Sequence, residues 1–505
     1  MIWNLDLKSF KRIYDYEQRK GNNIDKLFDD SKFQTLIDFS TNLENFLHNP
    51  GGVKYRKKGF LKFSNSMCVE NEYKGFHDEI LNIISFDSIS KKNEKRIKLL
   101  LRDWKKHYVD TILESFTDTK DLHISKGRII NGKQVYCIGG DARSFFVSKV
   151  IQHKLNQVYG LSMSNRNRIS SQLANILGDW YPKIVIRADV KQFYESIDFG
   201  KIISTMANDK MLPKQMISIL KSINYHYKKL SGQTIGIPRG IGISSCLAEY
   251  VMRDFDKSVR LMDGLLYYAR FVDDIIAVFS IESKSDGILE DTTQLAHEKL
   301  EMLKEKIHDL KLYFHEDSDD EKQIVPVEFP AKSSSCSSPV PGKVDFLGYC
   351  YHVMLTQSKD LAKGSPKIEK LTIDMTEAKI KRQKMKIDVA FRFYFADCRK
   401  KKPLHKRARL LYYRLRFLTD SYHLVGLKRN VVVGLPMSYP LVTDDCKCLD
   451  LLDMYLKERI GKTKLPDLMK SEFLKLSYKT GFRNKKPIRV SRSSFEEIMS
   501  CWSNE

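Results

Sequence analysis

The sequence predicts an α+β protein whose strand-bearing middle is flanked by helical ends. Two observations carry that prediction. Apolar residues recur at three- and four-residue spacing from Leu5 to about Leu122, as in Ile97, Leu99, Leu100, Leu101 and Trp104 among charged neighbours, and the same period returns from Ile368 onward. Between these stretches, β-branched and aromatic runs such as residues 183–188 (KIVIRA) and 265–279 (LLYYARFVDDIIAVF) read as strands.

Taken in order, residues 1–125 form an N-terminal helical region. Residues 127–138 (GRIINGKQVYCI) predict a hairpin, because Asn131-Gly132 is a two-residue turn signal between short β-prone runs. A helix over 142–158 follows, and then the strand 183–188, which ends at Asp189 and leads through a loop to a helix after Phe199. The next strand pair holds Val272-Asp273-Asp274-Ile275, two acids inside an apolar hairpin that no folding argument requires. Residues 315–342, with the runs HEDSDDE and SSSCSS, predict an exposed loop, and VDFLGYCYHV after it another strand pair. The remainder reads as helical and basic, with KIKRQKMK at 379–386 and RKKKPLHKRAR at 399–409. Phe391, Phe393, Tyr394, Tyr412, Tyr413 and Phe417 interleave with these cations, either as stacking faces for bases or as an ordinary helical core. No internal repeat is visible.

Composition bounds the function. A chain of 505 residues suggests about three domains, and 42% hydrophobic with 30% charged residues excludes disordered and fibrous classes. No run of 18 or more apolar residues occurs, and Asp6 interrupts the opening segment, so membrane insertion and secretion are not expected. Lysine and arginine number 86 against 63 acids, an excess of +23 that predicts a polyanionic partner, nucleic acid first. The nine cysteines are odd in number and scattered, apart from a Cys446-x-Cys448 pair too close for the usual zinc half-site. They read as reduced thiols, which places the protein in the cytoplasm.

Asp189, Asp273 and Asp274 are the proposed catalytic set. Two acids at a strand turn and a third at the end of an earlier strand make an oxygen cage suited to two Mg²⁺ ions, with Mn²⁺ as a substitute. Such ions activate a 3′-hydroxyl and steady a triphosphate. An Asp-Asp pair alone is more often a solvated turn. Its apolar flanks favour function here.

Several segments resemble, in order and spacing, a bacterial reverse transcriptase of the retron and group II intron kind. Residues 184–197 (IVIRADVKQFYESI) are similar to the strand and turn bearing the first catalytic aspartate, which implies that Asp189 and the backbone carbonyl of Val190 ligate the metals. Residues 236–256 (GIPRGIGISSCLAEYVMRDFD) resemble the glycine-proline-glutamine-glycine segment, which implies nucleotide contacts from Arg239 and Gly240, with Arg239 putting a fixed charge where a neutral glutamine normally touches the nucleotide or template. YARFVDDIIAV resembles the tyrosine-x-aspartate-aspartate motif, with Phe271 at the tyrosine position and Asp273 and Asp274 as ligands. VDFLGY resembles a primer grip, which implies that Phe346, Leu347, Gly348 and Tyr349 position the growing end. Upstream, CIGGDARSFFVSKVIQHKL and NRNRISSQLANIL resemble fingers segments, implying nucleotide contacts from Arg143 and Lys133 and nucleic-acid contacts from Arg166 and Arg168.

The resemblance spans about residues 127–351 and implies a right-hand polymerase with an antiparallel palm sheet. On that reading 1–125 is the helical N-terminal region, 126–183 the fingers, 184–355 the palm, and 356–505 an all-α basic thumb-like domain in which Lys400, Lys401, Lys402, Lys406 and Arg407 meet nucleic acid. Phe193 and Tyr194 lie where the incoming sugar sits in this family. Tyr194, five residues after the first aspartate, would collide with a ribose 2′-hydroxyl, which favours deoxynucleotides and argues against an RNA polymerase. The usual pyrophosphate lysine is displaced by the acidic insert, leaving Lys311 and Lys322 as rivals.

With no ribonuclease H, endonuclease or integrase segment in view, the chain is most similar to abortive-infection and other defence-associated reverse transcriptases. That implies RNA-directed DNA synthesis in anti-phage defence, an RNA template with a dedicated non-coding RNA as one option, dNTPs, a DNA product, protein priming as one route, no membrane, and room for a homo-oligomer. The alternatives are a retron or group II intron-type enzyme, a catalytically idle RNA-binding scaffold, and a two-metal nuclease.

Overall fold

The computed structural model describes residues 3–20, 24–28, 78–79, 82, 91–179, 183–281, 292–315, 327–329, 342–356, 367–399, 403–425, 431–484 and 486–502. They divide into two compact units, Met1–Ser162 with Tyr194–Tyr250, and Met163–Phe193 with Val251–Glu505.

The first unit is mainly helical. Asp6 starts the helix Leu7–Arg19 by accepting a hydrogen bond from the Ser9 amide at 2.7 Å, and Asp141 starts Ala142–Tyr159 in the same way from Ser144 at 2.9 Å. Phe10, Phe28 and Phe116 gather around the fully buried Phe146, with ring centroids 6.4, 5.9 and 6.1 Å away. The predicted hairpin is present as β1 (Ile124–Ile130) and β2 (Lys133–Ile138), and its turn residues Asn131 and Gly132 both take positive φ, +50° and +72°.

The second unit holds three sheets. In the first, β3 (Lys183–Asp189) lies between β5 (Asp274–Ser280) and β6 (Val327–Phe329), and β4 (Leu265–Phe271) pairs with the far side of β5. Successive residues of β3 are buried, so both faces of the strand are covered, which is why its central IVI runs apolar rather than alternating. Strand β6 corrects the expectation of an uninterrupted loop over 315–342, because Val327-Glu328-Phe329 adds to the β3 edge. The second sheet is β7 (Gly342–Phe346), β8 (Tyr349–Thr356) and β9 (Lys367–Met375). The third is β10 (Ser421–Val425), β11 (Val431–Gly434) and β12 (Ile488–Ser491).

The expected all-α C-terminal domain is therefore overturned. Long helices do dominate there, Glu377–Arg399, Leu404–Thr419 and Lys447–Gly461. The strands SYHLV, VVVG and IRVS are shorter than the window needed to read a helical period, so the basic helices around them mask their β-branched content. One apolar cluster binds the unit together, with Val185, Ile276, Tyr349 and Tyr351 from strands and Phe391 and Leu411 from helices. Among the described residues no helix is long and apolar enough to cross a membrane.

Candidate active site

The three proposed carboxylates come together at one end of the β3–β5 ladder in the first sheet. Strands β3 and β5 pair from Lys183↔Ser280 to Asp189↔Asp274, so two acids face each other at the end of the ladder, about 4.5–5.5 Å apart at Cα. Like charges directly opposite each other destabilise a sheet. Asp273 lies in the two-residue turn between Phe271 and Asp274, where the Val272 φ of +61° is a strained value for a β-branched residue. The backbone fixes the loop after β3 against this turn. The Val190 amide donates to the Asp273 carbonyl at 3.3 Å, and the His315 amide to the Asp189 carbonyl at 3.1 Å. Asp189 is 6% exposed, whereas Asp273 and Asp274 are half-buried.

Carboxylates and a backbone carbonyl at Val190 are hard oxygen donors, the chemistry that suits Mg²⁺ or Mn²⁺. Among the described residues, the sets of three whose donor atoms lie within 4.8 Å of one another are Asp121, His123, His226 and Asp374, Cys446, Cys448, and the three aspartates are not such a set.

A buried ion pair supports the aspartate turn. Arg270 of β4, 5% exposed, grips both Asp256 oxygens at 2.9 and 2.8 Å and donates to the Val272 carbonyl at 2.9 Å. The Tyr268 hydroxyl donates to the same carboxylate at 2.6 Å, and burial pushes its pKa well up. Asp256→Ala would leave the Arg270 charge buried without its partner. We expect unfolding free energy to fall by about 3–5 kcal/mol. Urea denaturation measures this, and an unchanged midpoint would refute the role.

The β7–β8 hairpin turns at Leu347-Gly348, whose φ values of +48° and +81° are those of a primed two-residue turn. Arg166 clamps it. Its Nε and one terminal nitrogen donate to the Leu347 carbonyl at 2.9 and 2.7 Å, the other to the Ser438 carbonyl at 3.2 Å, and Cζ lies 5.2 and 5.0 Å from the Tyr349 and Tyr439 rings. Arg166, expected to meet nucleic acid, directs three of its N–H groups to these protein carbonyls. Arg166→Ala is predicted to cost about 1.5–3 kcal/mol, the worth of charged hydrogen bonds. Equal urea midpoints for mutant and parent would count against the clamp.

Lys379, notable in the sequence only as part of a basic run, packs on this turn. A Cβ on Gly348 would meet its Cε at 3.0 Å. Burial, then Arg382 and Arg166, lower its pKa, while Asp274 opposes them.

In the first unit, Arg239 is held by Glu195 through bonds of 3.2 and 3.1 Å, and its guanidinium lies 4.8 Å from the Tyr194 ring centroid. The charge that the sequence placed at the nucleotide is thus neutralised by an acid the sequence reading passed over, although Glu195 directly follows Tyr194. Gly240, at φ +96°, backs onto β2, where a Cβ would meet Val135 at 2.4 Å. Arg143 is exposed with Cζ 5.8 Å from the Phe116 ring, and Lys133 begins β2 half-exposed. Phe193 is fully buried in the second unit.

Residues 144–350 match the family described as reverse transcriptase (RNA-dependent DNA polymerase). The chain carries a reverse transcriptase domain. As an enzyme it is an RNA-directed DNA polymerase, a nucleotidyltransferase, and polymerases of this family use divalent metals. Among solved structures, the telomerase of Candida albicans in complex with a TWJ fragment of telomeric RNA is similar at 10% identity, over 90% of this chain and 73% of that one, with a TM-score of 0.30. The telomerase of Candida tropicalis, in complex with a TWJ fragment of telomeric RNA, is similar at 12% identity over 97% and 90%, with a TM-score of 0.29. No curated protein matches.

The remaining residues expected to meet nucleic acid divide by environment. Arg168 and Lys406 are exposed, on the helices Arg166–Leu177 and Leu404–Thr419. Arg407 is half-buried, with Cζ 5.7 Å from the Tyr394 ring. Lys400, Lys401, Lys402 and Lys322 lie outside the described residues. Lys311 is exposed in the turn after the helix Thr292–His308. The aromatic stripe splits as well, since Phe391 and Tyr394 are buried, Tyr412, Tyr413 and Phe417 are half-buried, and Phe393 is 39% exposed.

Proposed function

We propose that the domain copies RNA into DNA with two Mg²⁺ ions held by Asp189, Asp273, Asp274 and the Val190 carbonyl. The carrying observation is the register that sets Asp189 opposite Asp274 with Asp273 in the adjoining turn, an arrangement unfavourable to a sheet and useful to a cation. Bound there, the ions supply Lewis acidity and charge neutralisation at the reacting phosphate. The chain's own residues hold the site's shape. Arg270 braces the aspartate turn, Arg166 braces the Leu347-Gly348 turn on which the primer end rests, and Tyr194, held under Arg239, excludes a ribose 2′-hydroxyl. The net charge of +23 supports binding of an RNA template and DNA product.

The setting we propose is cytoplasmic anti-phage defence with an associated non-coding RNA, and initiation on a protein hydroxyl as one route. Similarity of the sequence motifs to defence-associated reverse transcriptases supports it.

The test is to purify the protein with whatever nucleic acid accompanies it, add Mg²⁺ and labelled dNTPs, and sequence any product beside an Asp189→Asn control. A product that vanishes in the control names both chemistry and template. Tightly bound RNA with no product under Mg²⁺ or Mn²⁺ would favour a scaffold instead.

A further inference from the structure

We propose that Asp121, His123 and His226 form a binding site for a zinc-class divalent cation, separate from the three aspartates. All three belong to the first unit. Asp121 and His123 flank Leu122 just before β1, and His226 lies on the helix Lys214–Ser231. The His123 and His226 rings are 4.4 Å apart at their centroids and tilted by 56°, and the donor atoms of the three residues lie within 4.8 Å of one another. Asp121 carboxylate oxygens sit 3.2 Å from His123 Nε2 and 3.7 Å from His226 Nε2. Ligands about 2.0–2.1 Å from a tetrahedral ion are about 3.4 Å apart, so the donors already stand near the edge length of that polyhedron.

The ligands are also braced from behind, as metal ligands generally are. Ser222, one helical turn before His226 on the same face, donates its hydroxyl to Asp121 Oδ1. Gln215, two turns earlier on that face, donates its amide to the Thr117 and Thr119 carbonyls at 2.7 and 2.8 Å, tying the ligand-bearing segment to the helix. The Gly139 amide donates to the His123 carbonyl at 3.3 Å.

Donor chemistry selects the ion. Two imidazoles and one carboxylate favour zinc and its first-row neighbours over Mg²⁺, which prefers oxygen alone. Asp121 and His123 are exposed and border a cavity of about 1110 Å³ that also touches Lys120 and Arg143, which leaves an entry path and room for water in the fourth position.

The full chain, stripped with a chelator and titrated with ZnCl₂ against a chromophoric zinc indicator, tests this. One equivalent should bind, excess MgCl₂ should not displace it, and His123→Asn and His226→Asn should each weaken it by at least roughly tenfold, with Ser222→Ala weaker by about tenfold. Cys446→Ser should leave the affinity unchanged, since it belongs to the other donor set. Thermal melts of the metal-free variants confirm that they fold. Zinc affinity that survives in the double histidine variant, that falls with Cys446→Ser instead, or that is absent from the parent protein overturns the site.

Discussion

Asp273→Asn and Asp274→Asn each lower deoxynucleotide incorporation by on the order of 10³-fold while RNA affinity stays within about twofold of the parent. The change removes one negative charge and keeps the size and hydrogen-bonding capacity of the side chain. Asp274 opens the β5 ladder opposite Asp189 and Asp273 lies in the adjoining turn, so relief of charge repulsion offsets any loss of packing. The fold is therefore expected to persist, and folded variants separate chemistry from stability. Affinity for RNA follows the +23 charge, which changes by one unit in each variant. Single-turnover extension of a primed RNA template measures the first quantity and filter binding at fixed salt the second. Synthesis at the parental rate in both variants would remove these aspartates from the active site.

Tyr194→Val shifts sugar selection toward ribonucleotides by roughly 10²-fold, the effect of relieving a steric conflict of about 3 kcal/mol. The ring does not float free. It lies against the Arg239 guanidinium, which Glu195 holds through two bonds, so its position is over-determined and a bulky 2′ substituent cannot push it aside cheaply. Competing labelled rNTP against dNTP on one template reads the ratio directly. If trimming the ring slows both sugars equally, Tyr194 supports the loop and the gate lies elsewhere.

The sequence made the aspartate turn legible because two acids in an apolar hairpin conflict with folding, and such conflict shows in a string of letters. The two-residue turn at Asn131-Gly132 was equally readable, since its chemistry is local. Contacts made across the chain were not. Arg166 is expected at nucleic acid, and nothing near it in sequence reveals that Leu347 and Ser438 take its hydrogen bonds. The Glu195 partner of Arg239 escapes notice for the same reason, although it adjoins a residue already singled out. The short strands of the third sheet escaped because four or five residues carry too little periodicity beside long basic helices.

The interleaving of the two compact units bears on how the enzyme is made. The chain completes part of the first unit, lays down β3, returns to the first unit, and only then supplies β4 and β5. Asp189 and Asp274 are 85 positions apart, so a ribosome must add that whole stretch before the carboxylates can meet. Until then β3, an apolar strand built to be an interior one, has neither neighbour and invites association with other nascent chains. Single-segment truncations can isolate neither unit intact, and a cell that stops translation early obtains no partial polymerase.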